Sequence, residues 1–454
     1  MIRSLSRRAF LVAASLVALP LLGASGAHAA AKIQRVVSPG GIEAWFVQDA
    51  TVPVVAVNFA FNGGSTQDPA DKPGVASMVS SLLDEGAGDL DSQAFHDRLE
   101  RRAIELNFSA TRDYFRGSLR MLKDNRDEAF GLLQLALTKP RFDAEPVERI
   151  RAQLLSSLRR ESTNPNALAG NAFWAAAYPD HPYGRPVNGT LASVPTITAD
   201  DLKAYAGRVL ARDQLKIAVV GDIDADSLGK LLDRTFGALP DKAKLTPVPD
   251  VAATTPPKQL SLPLDVPQTV IIYGGPGVKR NDPDFMAAYI VNHILGGGSM
   301  SSQLYYEVRE KQGLAYSVSQ SLVWMEHSAL FAGSTATRAD RAKAAFDTLS
   351  QVIARMADNG PTQEELDKAK AYLNGSQMLA LDTSSKLASA LVQYQLDDLG
   401  IDYLDKRASI INAVTLADAK RIAKRVWGPG LITVTVGRAT QAGGGTAPAA
   451  PRAN

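Results

Sequence analysis

The spacing of apolar residues along the chain predicts alternating strands and helices. Lys32–Val47 and Val52–Phe61 hold alternating or continuous apolar runs rich in Val and Phe, as strands do. A helix is predicted over Gly74–Asp84, because its apolar residues recur on one face. The same patterns predict helices over Gln93–Ala103, Asp124–Leu137 and Ala144–Ser162, and strands over Leu106–Thr111, Tyr114–Met121 and Leu215–Gly221. The first half of the chain is therefore predicted to be α+β.

The order of elements repeats beyond a proline-rich stretch. Residues 247–258 contain four prolines in twelve residues and show no helical period, which predicts a linker. After it come predicted strands over Thr269–Tyr273, Leu314–Trp324, Ser328–Thr335 and Leu431–Gly437, and helices over Pro283–Leu295, Leu304–Lys311, Arg341–Asp358 and Gln363–Leu379. The closing strands begin 216 positions apart, at Leu215 and Leu431, which favours a tandem duplication of roughly 215 residues. A chance match of two coarse α+β patterns is the alternative.

The first 31 residues have the pattern of an export signal. Ser6-Arg7-Arg8-Ala9-Phe10-Leu11 opens an apolar run that ends at Leu22, and Ala27-His28-Ala29 offers the small residues that a signal peptidase accepts. The run is shorter than the roughly 20 residues that a membrane-spanning helix needs. We therefore expect a periplasmic protein with no membrane span, cleaved near Ala29 or Ala30. The arginine pair resembles a twin-arginine signal, and a general secretory route is the alternative.

These observations divide the chain into five parts. Residues 1–31 are the export signal, 32–246 an N-terminal domain, 247–258 the linker and 259–440 a C-terminal domain. Residues 441–454 are rich in Gly, Ala and Pro and are predicted to be disordered.

Composition and charge exclude several classes of function. With 45% hydrophobic and 21% charged residues, the 454-residue chain is an ordinary globular protein. Without residues 1–31, which hold three arginines, it has 46 basic and 47 acidic residues. A near-neutral body has no electrostatic footprint for nucleic acid or an anionic membrane. The lack of cysteine excludes disulfides, thiolate zinc sites and a cysteine nucleophile.

Histidine is too scarce and too scattered to predict a metal site. His28 belongs to the export signal, and none of the other four has a second histidine three or four positions away, the spacing that puts two imidazoles on one helix face. His96 lies in a charged helical run and His181 in a loop, so neither is predicted to be a ligand. We expect no metal and no cofactor in this chain.

One long string in the second half carries a family resemblance. Gly296-Gly297-Gly298-Ser299 leads into Val308-Arg309-Glu310-Lys311-Gln312-Gly313-Leu314-Ala315-Tyr316-Ser317-Val318. This string resembles the pitrilysin/insulinase family of zinc metallopeptidases, in the branch that includes the mitochondrial processing peptidase. Asn164-Pro165 and the stretch from His181 to Thr190 are similar to the family's first-half pattern. The resemblance implies two homologous α+β halves that close like a clam around a central cavity.

The resemblance also implies roles for particular residues. In the family, the Arg and Tyr of the string project toward the substrate at the zinc site, which implies this role for Arg309 and Tyr316. Gly296–Ser299 would let a substrate backbone approach closely. The alternatives are an Arg309 paired with Glu307 or Glu310, a Tyr316 that buries its ring in a strand, and a helix C-cap with extra glycines.

The first half departs from the family at the zinc-binding residues. Where the family has a helix of the form G-x-A-H-x-x-E-H, this chain has Gly74-Val75-Ala76-Ser77-Met78-Val79-Ser80-Ser81. Ser77 and Ser81 stand at the two histidine ligands and Ser80 at the general base, and Ser156 at the third ligand, a glutamate. Neutral hydroxyls do not replace two imidazoles and a carboxylate. The first half is therefore predicted to contain a degenerate zinc site that has lost its ligands.

Together these observations predict a non-catalytic subunit of a heterodimeric, exported zinc metallopeptidase. The chain alone is expected to be inactive. A homologous partner with an intact H-x-x-E-H helix would hold the zinc, and this chain would supply Arg309 and Tyr316 in trans to a peptide substrate. The alternative is a peptide-binding or assembly protein of the same family with no proteolytic role.

Overall fold

The computed structural model describes residues 32–438 and contains two β-sheets. The first sheet has six strands, in the order β1-β2-β6-β3-β5-β4. They are β1 (Gln34–Val37), β2 (Glu43–Gln48), β3 (Val54–Asn62), β4 (Glu105–Ala110), β5 (Tyr114–Leu122) and β6 (Leu215–Gly221). The predicted export signal, residues 1–31, and the predicted tail, residues 441–454, lie outside the described residues.

The second sheet has five strands, in the order β7-β11-β8-β10-β9. They are β7 (Lys258–Pro263), β8 (Gln268–Pro276), β9 (Ala315–Trp324), β10 (Ala329–Arg338) and β11 (Ile432–Gly437). This order matches that of the last five strands of the first sheet, β2-β6-β3-β5-β4, so that β7 corresponds to β2, β11 to β6 and β8 to β3. In each sheet the closing strand, β6 or β11, is parallel to one neighbour and antiparallel to the other. The two halves therefore share one topology, and the predicted α+β fold with two homologous halves is confirmed.

The described part of the first half contains seven α-helices. They are α1 (Val75–Ser80), α2 (Ser92–Arg101), α3 (Arg126–Thr138), α4 (Ala144–Glu161), α5 (Pro165–Ala177), α6 (Ala199–Val209) and α7 (Ala225–Phe236). All except α5 contribute to a core built on the inward side chains of the strands. Within it the Phe59 and Phe236 rings meet edge to face at 5.6 Å between centroids.

The described part of the second half contains eight α-helices and two π-helical stretches, His293–Gly297 and Tyr306–Lys311. The α-helices are α8 (Phe285–Asn292), α9 (Gln303–Tyr305), α10 (Ala342–Asn359), α11 (Gln363–Gly375), α12 (Gln377–Ala380), α13 (Ser384–Leu396), α14 (Tyr403–Ala413) and α15 (Leu416–Trp427). Trp427 is fully buried against Phe331, with 5.8 Å between ring centroids. No helix of residues 32–438 is long and apolar enough to cross a membrane.

One helix of each half packs on the sheet of the other half. Helix α5, from the first half, packs on β8 and β11, where Phe173 joins a core with Ile432 and Val434. Helix α13, from the second half, packs on β3 and β6, where Leu391 joins a core with Ala218. The two halves are thus interlocked by apolar burial, which is the dominant favourable contribution to folding.

Several elements differ from their predicted bounds. The strand predicted over Lys32–Val47 is the β1 and β2 pair, and the helix predicted over Gln363–Leu379 ends at Gly375 and is followed by α12. The helix predicted over Gly74–Asp84 is shorter, because α1 ends at Ser80. The helix predicted over Leu304–Lys311 is a short α-helix followed by a π-helix. The predicted linker, residues 247–258, has no regular structure up to Pro257, yet it is fixed by backbone hydrogen bonds such as that from the Thr254 N–H to the Ala177 carbonyl, 2.9 Å.

Candidate functional site

A buried carboxylate holds the start of α1, the helix that carries three of the predicted serines. Asp68 accepts hydrogen bonds from the backbone N–H groups of Gly74 and Ala76, both at 2.8 Å, and so binds donors that a helix N-terminus leaves free. Burial raises the pKa of Asp68 to about 7. The position of α1 therefore depends on Asp68.

The α1 serines are engaged in local hydrogen bonds. The hydroxyls of Ser80 and Ser81 both donate to the backbone carbonyl of Ser77, at 2.9 and 3.0 Å. The Ser77 hydroxyl donates to Oδ1 of Asn188 at 3.2 Å. Serine hydroxyls that bond to the carbonyl of a preceding turn compete with the helix backbone, and this accounts for an α1 that ends at Ser80.

Ser156, the fourth predicted position, lies on α4 with a cation beside it. Its hydroxyl oxygen accepts a hydrogen bond from the Arg160 guanidinium at 2.8 Å. Zinc in proteins is bound by imidazole, carboxylate or thiolate groups, and these four side chains offer only neutral hydroxyls, of which that of Ser156 already accepts a hydrogen bond from a cation. The four serines therefore do not fit a zinc ion.

The carboxylate nearest the end of α1 is also engaged. Glu85 accepts hydrogen bonds from Arg149 and from the Ser92 hydroxyl, both at 2.5 Å. The Nδ1 atom of His96 lies 2.9 Å from the Ser92 carbonyl and 4.0 Å from Glu85. His96 is thus a helix residue beside an ion pair, as its charged surroundings in the sequence indicated.

Arg309 and Tyr316 lie together on the surface of the second half. Arg309 belongs to the π-helix Tyr306–Lys311, and Tyr316 is the second residue of β9. Gly313, with φ of +60°, makes the turn between them. The Arg309 guanidinium carbon lies 4.4 Å from the Tyr316 ring centroid and 4.9 Å from that of Tyr305, a cation–π arrangement. The fold thus presents both side chains as one unit.

The structure excludes both structural alternatives for this pair. Glu307 is bound by Lys311 at 3.0 Å and by Arg355 at 3.3 Å, and Arg309 forms no ion pair within residues 32–438. The Tyr316 side chain is 81% exposed, so its ring is not a buried strand residue. Tyr316 is thus exposed, and Arg309 beside it is half-buried.

The glycine-rich segment Gly296–Ser299 packs closely against other residues of this chain. A Cβ at Gly296 would lie 2.7 Å from Cβ of Gln320 on β9, and one at Gly297 would lie 2.8 Å from the Asn292 amide. Gln320 Nε2 in turn donates to Asn292 Oδ1 at 3.0 Å. Gly296 is buried, whereas Gly297 and Ser299 are exposed and Gly298 is half-buried. The close approach at Gly296 is therefore between parts of this chain, as the helix-end alternative implies.

A second cluster of polar side chains lies where the two halves meet. Asp113, in the turn between β4 and β5, comes close to Glu326 and His327, in the turn between β9 and β10. The Tyr183 hydroxyl donates to Asp113 Oδ1 at 2.5 Å, and the His327 N–H donates to the Tyr183 hydroxyl at 3.0 Å. Sequence reasoning missed this cluster because its members lie far apart along the chain.

His181 lies beside this cluster and is engaged on both ring nitrogens. Its Nδ1 accepts the Tyr183 N–H at 3.1 Å, and its Nε2 lies 3.0 Å from the Pro249 carbonyl. Burial lowers the pKa of His181, so the neutral ring is favoured. His181 is a hydrogen-bonding loop residue, as its sequence context indicated.

These features define a class of protein, built from two repeats of one α+β unit, with a short serine-bearing helix in the first and a stacked Arg–Tyr pair in the second. Residues 45–191 match the Insulinase family (Peptidase family M16), and residues 196–373 match the family described as Peptidase M16 inactive domain. The chain belongs to peptidase family M16, and the predicted resemblance is confirmed.

Relatives and solved structures agree with this family. A Helicobacter pylori protein described as "Non-peptidase homolog YmxG" is 25% identical over 398 residues, 87% of this chain and 91% of the relative. The "Uncharacterized zinc protease YmxG" of Bacillus subtilis is 23% identical, over 87% of this chain and 96% of its own length. A crystal structure described as a peptidase M16 inactive domain, from Pseudomonas fluorescens, has a TM-score of 0.85 and 28% identity, covering 90% of this chain and 98% of that one.

Proposed function

We propose that this chain is the non-catalytic subunit of a heterodimeric, exported zinc metallopeptidase. It is inactive alone, and it lends Arg309 and Tyr316 to a site whose zinc, water and general base belong to a homologous partner with an intact H-x-x-E-H helix. The substrate is a peptide. The proposed compartment is the periplasm, on the basis of residues 1–31.

The observation that carries the proposal is the contrast between the two sites within one chain. The four serines at the zinc positions turn to local partners. Arg309 and Tyr316, in contrast, stack on each other, with the Tyr316 side chain exposed and Arg309 half-buried. With the α1 zinc positions of this chain replaced by serines, hydrogen-bond donors of this kind have a reaction to serve only if a second chain supplies the catalytic zinc.

The chemistry of the pair suits peptide hydrolysis. Attack on a peptide carbonyl builds negative charge on its oxygen, and preoriented donors stabilise that charge in the transition state. A guanidinium and a phenol both donate hydrogen bonds. The stacking of Arg309 on Tyr316 and Tyr305 restricts the guanidinium before substrate arrives, so less freedom is lost on binding.

The second candidate is a peptide-binding or assembly protein with no part in proteolysis. The relative described as a non-peptidase homolog, similar over most of both chains, favours an inactive chain and supports either candidate. The two candidates differ in what Arg309 and Tyr316 do, because only the heterodimer needs them for turnover. A neighbouring reading frame for a homologue with H-x-x-E-H would favour the heterodimer.

The experiment that tests the proposal is capture followed by reconstitution. The mature chain, tagged at its C-terminus, is recovered from the native periplasmic fraction, and mass spectrometry identifies its N-terminus, expected near Ala30, and its partner. The two purified chains are then assayed alone and mixed on a library of fluorogenic peptides. We expect the mixture to cleave, and to stop when the glutamate of the partner's H-x-x-E-H is replaced. A partner that cleaves equally well alone would favour the second candidate.

A further inference from the structure

The meeting point of the two halves brings together three potential metal ligands. Asp113 comes from the first half, and Glu326 and His327 come from the second. One carboxylate oxygen of each acid and one ring nitrogen of the histidine all lie within 4.8 Å of one another. Two carboxylates and an imidazole form a donor set that suits zinc and related divalent ions.

Neighbouring groups orient two of these ligands as outer-shell partners do. Asp113 accepts the Tyr183 hydroxyl on Oδ1 at 2.5 Å and the Glu326 N–H on Oδ2 at 3.1 Å, which leaves each oxygen a further lone pair. The Nδ1 atom of His327 lies 3.2 Å from Asp250 Oδ1. A metal-binding histidine commonly donates its other ring N–H to a carboxylate, and here that arrangement leaves Nε2 to coordinate.

The cluster also carries negative charge that no side chain balances directly. Within residues 32–438, neither Asp113 nor Glu326 forms an ion pair with lysine or arginine, and the nearby Lys279 is bound to Asp250 at 2.7 Å. The only side-chain donor that reaches Glu326 in this part of the chain is the Asn62 amide, at 3.4 Å. A divalent cation would balance this negative charge.

Both sides of the cluster open to space that an ion and its water ligands can use. Glu326 lines a cavity of about 330 Å³ between the halves, together with Asn62 and Lys279. His327 and Asp250 line a second one of about 340 Å³. The site is therefore reachable from solvent.

We propose that Asp113, Glu326 and His327 bind one divalent cation of the zinc class, with water completing its coordination. The ion would bridge the β4–β5 and β9–β10 turns and so link the two halves of the chain. It lies apart from the α1 serines, and the proposal does not depend on a peptidase partner.

The test titrates the isolated mature, untagged chain, freed of metal, with zinc chloride by isothermal calorimetry. We expect one zinc per chain and a rise in melting temperature. Glu326→Gln and His327→Gln each remove one ligand on an accessible turn, and we expect either to weaken binding at least tenfold. Asp250→Asn, which changes only a positioning residue, should keep the stoichiometry and weaken binding by about 10–100-fold.

Matched controls locate the ion. His96→Gln removes another histidine beside a carboxylate, and the double variant Ser77→Ala, Ser81→Ala removes the old zinc positions, so both should bind zinc as the wild type does. Circular dichroism of each metal-free variant confirms that it is folded. The proposal is overturned if the wild type binds no zinc, if Glu326→Gln and His327→Gln bind it normally, or if either control abolishes binding.

Discussion

The two halves of this chain share one strand order but treat their functional positions in opposite ways. In the first half, Ser77 hydrogen-bonds an asparagine side chain, and the hydroxyls of Ser80 and Ser81 turn back to the carbonyl of Ser77. In the second half, Arg309 and Tyr316 stack on each other at the surface. The difference shows that the fold depends on its apolar cores and not on the zinc ligands, because the first half keeps its topology without them.

The largest effect that follows from this contrast concerns Arg309. In the reconstituted complex, Arg309→Ala should lower turnover by about 10²–10³, the cost of removing one preorganised donor to a developing oxyanion. Arg355→Ala is the matched control, because it removes a nearby arginine whose one ion-pair partner within residues 32–438 is Glu307. Peptide turnover and gel filtration together separate lost chemistry from lost assembly. Equal turnover of both variants would show that Arg309 matters no more for peptide turnover than Arg355, and would contradict a special role for the Arg309–Tyr316 pair.

The second prediction concerns the stability of the first half, where the Asp68 carboxylate binds the start of α1. Its pKa is raised to about 7, above the usual value for an unfolded chain, so the folded state binds the proton more tightly. The contribution of Asp68 to stability should therefore be fully present below about pH 4 and be lost as the pH rises to about 7, by about 1.4 kcal/mol per pH unit. Asp68→Asn should flatten that slope.

The measurement for Asp68 is urea unfolding of both proteins across this pH window. Other carboxyls with raised pKa values, such as Asp84 and Asp397, contribute to both curves, so only the difference between the curves reports on Asp68. Parallel curves would show that Asp68 does not titrate differently on folding. Turnover of the complex should be unchanged if the variant is folded.

A substitution at Gly296 tests how tightly the second half is packed near Arg309 and Tyr316. Gly296→Ala would place a Cβ 2.7 Å from Gln320 and 2.9 Å from Leu304, and we expect a loss of about 1–3 kcal/mol in the free energy of unfolding. Gly131→Ala in α3 is the control, because a Cβ there meets nothing within 4 Å. That control should gain about 0.5–1 kcal/mol, since alanine favours a helix interior over glycine. Urea unfolding of both variants checks the opposite signs.

The smallest effects are expected at the α1 serines. Ser80→Ala and Ser81→Ala each remove one hydrogen bond to a carbonyl and should change the free energy of unfolding by no more than about 0.5–1.5 kcal/mol. Neither should alter peptide turnover by the complex. A large loss of turnover with normal stability would show that these hydroxyls still act on a substrate.

Much of the fold could be predicted from the sequence, because strands with alternating apolar residues and a recurring element order determine it locally. The predicted strands Leu215–Gly221 and Leu314–Trp324 match β6 and β9 within a residue. The exchange of α5 and α13 could not be predicted, because an apolar helix face does not reveal which sheet it will cover. Helices α5, α6, α7, α13, α14 and α15 were not predicted at all, although the apolar residues of α6, α7 and α15 recur on one face.

The candidate site was predictable where it is contiguous and not where it is assembled in space. Arg309 and Tyr316 lie in one string, so the family resemblance was enough to single them out. Their stacking, and the freedom of Arg309 from Glu307, required the π-helix that no sequence pattern indicated. The cluster of Asp113 and His327 arises only when two distant turns meet.

The most direct test of the central claim is the turnover of a complex that carries Tyr316→Phe. This change keeps the ring that stacks on Arg309 and deletes one hydroxyl, and Tyr306→Phe is the control, because it deletes the hydroxyl of another exposed tyrosine on the adjacent π-helix. If Tyr316 binds the developing oxyanion in trans, turnover should fall by about 10²–10³ with assembly and zinc content unchanged, while Tyr306→Phe keeps near-normal turnover. An assembled Tyr316→Phe complex with normal turnover would contradict the shared site.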